Sequence, residues 1–162
     1  MEQLQRGNLF LIPLDDKREW YRYHHLFADV LRIHLITEYP DLVEVLHCRA
    51  SEWYEKNGMT NDAVRHALVA KDFSRAAGLI EITWQKMYES FQLADWLGWV
   101  KELPEEVVGI RPVLCTQIAW AFMDAHEVDT SEARLRDAER CLEAPSDGMV
   151  IVDNEQFRSR CV

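Results

Sequence analysis

Thr60-Asn61-Asp62-Ala63-Val64-Arg65-His66-Ala67-Leu68, followed by Val69-Ala70-Lys71-Asp72-Phe73-Ser74-Arg75-Ala76-Ala77, is the stretch that decides the fold. Ala63, Val64, Ala67 and Leu68 recur at helical spacing behind a residue that can cap a helix, Thr60. After a short break, Asp72 can cap a second, longer helix carrying Phe73, Ala76, Ala77, Ile80, Trp84, Met87 and Tyr88. The facing stripes are small, which lets two helix backbones approach closely. Two amphipathic helices joined by so short a link form an antiparallel pair.

Working outward, the same period continues in both directions. Apolar positions 26, 27, 30, 31 and 35 mark one helix, and 42, 43, 46, 50, 53 and 54 the next. Pro40 falls in the first turn of the latter, and Gly58 stands where a glycine ends a helix. Beyond the central pair, Leu93, Trp96, Leu97, Val100 and Leu103 give a helix that Pro104 ends. Pro112 opens another through Leu114, Ile118, Ala121, Phe122 and Ala125. Asp129 and Glu132 have capping-box spacing ahead of Leu135, Ala138 and Leu142, and a loop through Pro145, Ser146, Asp147 and Gly148 follows. The pair over about 112–144 has roughly tetratricopeptide dimensions, although Asp124 and Asp137 stand where large apolar residues are expected.

Only the first 25 residues have a different texture. Leu9 to Leu14 is a short apolar run, Asp15-Asp16-Lys17-Arg18 a polar turn, and Trp20-Tyr21-Arg22-Tyr23 a group of aromatic strand formers. Together they predict a β-hairpin. The expected architecture is mainly α: an N-terminal β-hairpin, then antiparallel helix pairs in a tetratricopeptide-like superhelix.

Composition narrows the function. The chain of 162 residues is 48% hydrophobic and 28% charged, the balance of a globular protein. Its net charge of −10 and the mixed signs around Arg134, Arg136 and Arg140 leave no basic surface to displace counterions from phosphates, so direct nucleic-acid contact is not expected. No apolar run reaches the roughly 18 residues of a membrane span, and no signal-peptide core opens the chain, which predicts a cytoplasmic location without membrane partners. Cys48, Cys115, Cys141 and Cys161 lack ligand spacing and read as reduced thiols.

Chemistry-bearing motifs are sparse. All six glycines are isolated, so no loop cradles phosphate, and nucleophile elbows and paired zinc-binding histidines are absent. The expectation is a chain that is not an enzyme, with no metal site. The densest polar group is His24-His25, placed where a helix begins; an imidazole there can meet a phosphate oxygen or pair with Asp29, or serve only the structure. His66 can hydrogen-bond across a helix pair. Of the six tryptophans, most fill gaps between helices, while Trp99, outside the main stripe of its helix, is the candidate to face a partner or ligand.

Asn8-Leu9-Phe10-Leu11-Ile12-Pro13-Leu14-Asp15-Asp16 and Trp20-Tyr21-Arg22-Tyr23-His24-His25-Leu26-Phe27-Ala28-Asp29 resemble a signature segment of the bacterial ATP-dependent LuxR-type transcriptional regulators, the MalT-like group. The likeness continues through His47–Tyr54, Asp62–Leu68, Asp72–Ala77, Leu97-Gly98-Trp99, Leu103–Glu106 and Arg111-Pro112, covering roughly residues 4 to 144.

The resemblance implies a fragment of a larger protein, with residues 1–39 ending a winged-helix region and 40–162 beginning a helical-repeat arm. It implies a signal-relay segment coupling an adjacent nucleotide-binding module of the same chain to the helical sensor. ATP or ADP is implied for the full-length protein only, and an inducer or regulatory protein is the implied partner of the arm. The matching nucleotide-sensing histidine is His24, and His25 stands where the family motif has an aspartate. Two rival expectations are a stand-alone helical adaptor for a protein partner, and a small metalloenzyme built on His24 and His25.

Overall fold

The computed structural model describes residues 11–17, 21–143 and 150. Leu9, Phe10, Arg18, Trp20, the loop from Pro145 to Gly148 and Cys161, all named above, lie outside the described residues. Two strands pair antiparallel, β1 (Leu11–Pro13) and β2 (Tyr21–Tyr23), with Leu11 opposite Tyr23 and Pro13 opposite Tyr21. Eight helices follow among the described residues: α1 (His25–Glu38), α2 (Pro40–Lys56), α3 (Thr60–Val69), α4 (Phe73–Glu89), α5 (Leu93–Lys101), α6 (Glu105–Val108), α7 (Pro112–Asp124) and α8 (Val128–Glu143). The expected fold class, mainly α with an N-terminal hairpin and antiparallel helix pairs, is the one observed.

The chain divides into two compact units, 1–43 and 44–162, so the division falls within α2, a few residues beyond the expected 39/40 boundary. In the first unit, Tyr23 meets Phe27 edge-on at 5.5 Å, joining the end of β2 to the first turn of α1. None of the residues of α1 is buried; Phe27 and Leu35 are half-buried, while Leu26, Val30, Ile33 and Ile36 stay exposed.

The second unit holds the core. Ala63, Val64 and Ala67 of α3 meet Ala76, Ala77 and Ile80 of α4 with no more than 1% of each surface exposed, which is the close approach that the small stripes predict. Asp72 caps α4 by accepting a hydrogen bond from the Arg75 amide at 3.1 Å. Thr60 is already inside α3 and caps nothing, because the chain enters that helix from Met59. Pro112 occupies the first turn of α7 as expected, while the four residues of α6 are too few for any periodicity to announce. Each outer pair is also stitched by a buried serine. Ser51 of α2 donates to the Ala63 carbonyl at 2.8 Å, and Ser131 of α8 donates to the Ala119 carbonyl at 2.9 Å.

Four helix-to-helix turns share one backbone pattern. Gly58, Lys71, Phe91 and His126 all have φ between 56° and 73°. In each, the amide of that residue bonds the carbonyl three back, and the next amide bonds the carbonyl five residues before it, as Asp72 does to Ala67 and Gln92 to Met87. These are left-handed helix ends, where glycine is the favoured residue. Only Gly58 could announce itself in the sequence.

Phe91 is the extreme case, an aromatic side chain 96% exposed at a left-handed position. Phe91→Gly is therefore expected to stabilise the chain by about 0.5–1 kcal/mol, relief of backbone strain outweighing glycine's added freedom in the unfolded state. Thermal unfolding should show a melting point higher by about 2–3 °C. An unchanged or lower value would mean that the ring makes contacts that matter.

Candidate functional site

One side of α2 overturns a sequence expectation. Of the apolar positions expected to face its neighbours, Leu42, Leu46 and Trp53 are exposed and Val43, Ala50 and Tyr54 only half-buried, and the only fully buried residue of the helix is Ser51. The face turned toward α3 and α4 is a row spaced by three and four residues: Glu44, His47, Ser51 and Glu55. Glu44 lies 3.9 Å from Lys71, both exposed. His47 Nδ1 lies 2.8 Å from His66 Nδ1. Ser51 donates to Ala63 and accepts from Arg75 Nε at 3.0 Å, and Glu55 pairs with the Arg75 guanidinium. Tyr54 stacks on His66, centroids 5.1 Å apart at 19°. His66 thus bonds across a helix pair, as its position suggested. Burial, and then the neighbouring His47, hold its pKa below the ordinary value, with Asp62 opposing them.

A second polar knot sits inside the repeat. The Glu81 and Arg111 side chains are 3% and 4% exposed and joined at 3.2 Å, and Arg111 Nη2 also donates to the Ser74 carbonyl at 2.9 Å. Burial pushes the Glu81 carboxyl up to about 7, more than its Arg111 partner pulls it down. On the far side of the unit, Arg134 of α8 hydrogen-bonds Glu105 of α6 and holds that carboxyl below its usual range. Cys115 donates to the Val108 carbonyl at 3.3 Å, and burial raises its thiol to about 11, so at neutral pH it is no nucleophile. Cys48, Cys115 and Cys141 are free thiols.

The sequence-predicted residues fall as follows. His24 is the residue before α1, half-buried, its carbonyl accepting from the Ala28 amide at 3.0 Å and its ring 4.3 Å from that of His25. Asp29, considered as a histidine partner, pairs with Arg32 at 3.4 Å. Trp99 is 8% exposed and belongs to the core, with part of its surface lining a polar cleft of about 300 Å³ between α3, α5 and the end of α4. Asn61, Arg65, Gln92, Asp95 and Glu102 supply the polar wall. Gly98 lies on the same cleft, and a Cβ there would meet no atom within 4 Å. The cleft offers mixed charge and one aromatic surface, which suits a peptide-like or polar ligand better than a lipid. Among the described residues, no cluster of three or more His, Cys, Asp or Glu is placed to hold a metal, and no helix is long and apolar enough to cross a membrane. Glu81 and the row on α2 were missed by the sequence reading, since charged residues inside a helix period look like its solvated face.

These features define a class: a winged-helix end followed by antiparallel helix pairs. Residues 1–43 match the family model of the MalT winged helix domain, so this part of the chain is a MalT-like region. The chain is also 37% identical, over 121 residues, to the serine/threonine-protein kinase PknK of Mycobacterium tuberculosis, and equally to that of Mycobacterium bovis. The alignment covers 75% of this chain and 11% of those kinases, so the chain spans about a ninth of the length of the relatives it matches. No solved structure matches it.

The kinase match corrects the expectation that the chain is not an enzyme. That expectation rested on missing glycine loops and nucleophile motifs, whereas the relatives named here are enzymes. Motifs missing from one segment carry no information about catalysis by the protein to which the segment corresponds, and the expectation does not stand.

Proposed function

We propose that this chain is a signal-relay segment of a transcriptional-regulator-type protein, coupling an adjacent nucleotide-binding module to a helical sensor. The observation that carries the reading is α2, Pro40–Lys56: the residues matched by the winged-helix model end within it, at 43, and the helix continues without a break into the paired helices. A continuous helix transmits a displacement that a flexible linker would absorb. On this reading His24, at the start of α1, contacts ADP bound to the neighbouring module, and the Trp99 cleft receives an inducer or a regulatory protein in a cytoplasmic setting. The kinase relatives favour a second version, in which the same relay serves a protein kinase.

Calorimetric titration of ADP and ATP tests this. The titrations compare the present chain, a longer protein extended N-terminally through the nucleotide-binding module, and that longer protein carrying His24→Ala. The expected result is tight ADP binding by the longer protein only, weakened about tenfold or more by the substitution, equivalent to about 1.4 kcal/mol. Unchanged affinity would remove His24 from the nucleotide site and reduce this region to a passive connector.

A further inference from the structure

We infer that the His47–His66 pair is a proton-operated clasp: it holds the 44–56 portion of α2 against α3 while at least one ring is neutral, and releases it when both rings are charged. The geometry requires this asymmetry. Two Nδ1 atoms 2.8 Å apart can share a hydrogen bond only if one carries the proton and the other offers its lone pair. Doubly protonated rings place two donors and two positive charges at that distance.

The rest of the contact makes the histidines decisive. This portion of α2 has Ser51 as its only fully buried side chain, and its large apolar residues Val45, Leu46 and Trp53 are exposed. The helix is therefore docked mainly by the polar row, with the half-buried Ala50 and Tyr54 adding a smaller apolar contact, and each polar contact contributes modestly. Lys71 and Glu44 are both well exposed, so their attraction is screened. The Arg75–Glu55 pair and the Ser51 hydrogen bond hold the same face of α2 beside the two imidazoles.

Tyr54 on α2 and Asp62 on α3 act on the pair directly, while the charged groups nearest it along the same face are Glu44 with Lys71 of the following turn, and Arg75 of α4 with Glu55. Asp62 favours a charged His66, yet burial and His47 outweigh it, so the folded state prefers that ring neutral. The unfolded chain then binds more protons than the folded one below the ordinary histidine value. The clasp is at full strength above about pH 6.5 and weakens as pH falls from there. Its use rests on the relay reading, because a relay needs an element that can move. Its test does not involve nucleotide, so either idea can fail without the other.

The test is amide hydrogen exchange on the 162-residue chain, comparing residues 47–56 with α7 and α8 as an internal standard, corrected for intrinsic rates. Between about pH 7.5 and about pH 5.5, protection of α2 should fall at least about tenfold relative to α7 and α8. His66→Asn, whose amide can stand in for Nδ1 but does not titrate, should remove that pH dependence. His47→Asn gives the same test from the other ring if the first variant loses the α7 and α8 protection that marks the folded unit. Parallel behaviour of α2 and the standard in the wild type would overturn the clasp, as would an undiminished acid loss in the folded asparagine variants.

Discussion

Arg111→Ala is expected to destabilise the chain by about 3–5 kcal/mol near pH 8, read from urea unfolding followed by circular dichroism. The guanidinium lies in the interior and ties the 111 turn to α4 through Glu81 and the Ser74 carbonyl. Removing it leaves a buried carboxyl that keeps the Leu114 amide but loses its countercharge. Gln117 donates only to the Glu81 backbone carbonyl, at 3.1 Å, and Glu81 Oε1 already has no hydrogen-bond partner in the protein. A domain is typically stable by about 5–15 kcal/mol, so this single change brings it close to unfolding.

The sign of the pH effect follows from Glu81. Its folded value, about 7, lies above the ordinary carboxyl value, so between the two the folded state holds the extra proton. The associated stability is complete below about pH 4.5 and is lost as pH rises through about 7. The damage done by Arg111→Ala therefore shrinks in acid, where Glu81 is neutral, and Glu81→Gln should flatten the profile. Replacing both residues together, Glu81→Leu with Arg111→Met, should recover most of the loss, because a well-packed apolar pair avoids the desolvation of two charges. If the double variant is no more stable than Arg111→Ala, desolvation of the two charges does not set the energy of the pair.

Trp96→Ala is the second large effect, about 3–5 kcal/mol. The indole is completely buried, donates to the Ile80 carbonyl at 3.0 Å and meets Trp84 edge-on with centroids 4.8 Å apart. Alanine opens a cavity at the junction of α4 and α5. The Ile80 carbonyl keeps a second partner, the Thr83 hydroxyl at 2.8 Å, so the loss comes mainly from packing. Trp120 makes the contrast: it is 56% exposed on α7, and Trp120→Ala should stay within about 0.5 kcal/mol of wild type. Equal losses from the two substitutions in chemical denaturation would contradict this placement of the core.

The central pair was readable because its signals are redundant. Spacing of small residues, an aspartate cap at 72 and the short link all point to one arrangement, and α3 packs against α4 accordingly. Pro40 and Pro112 were readable because proline fixes its own φ, and Gly58 because glycine takes the left-handed conformation without strain. The left-handed turns at Lys71, Phe91 and His126 were not, since those residues tolerate the conformation only under tertiary constraint. The docking face of α2 was misread for a related reason: hydrophobic period identifies an apolar stripe but not what covers it. Leu42, Leu46 and Trp53 belong to such a stripe and remain exposed, while the polar row and the half-buried Tyr54 make the contact. Of the candidate site, the sequence singled out Trp99 but not its cleft, which exists only once Asn61, Gln92 and Glu102 are brought to the same place.

The repeated turns also bear on how fast the 44–162 unit forms. Three-residue links join α2 to α3, α3 to α4, α4 to α5 and α7 to α8, so these connections close small loops with little chain entropy to overcome. Such local topology belongs to the rapid end of the folding range, microseconds to milliseconds, where neighbouring hairpins assemble before distant segments need to meet. A nascent chain can therefore complete each helical hairpin soon after its second helix leaves the ribosome, and the apolar surface of α3 and α4 spends little time uncovered.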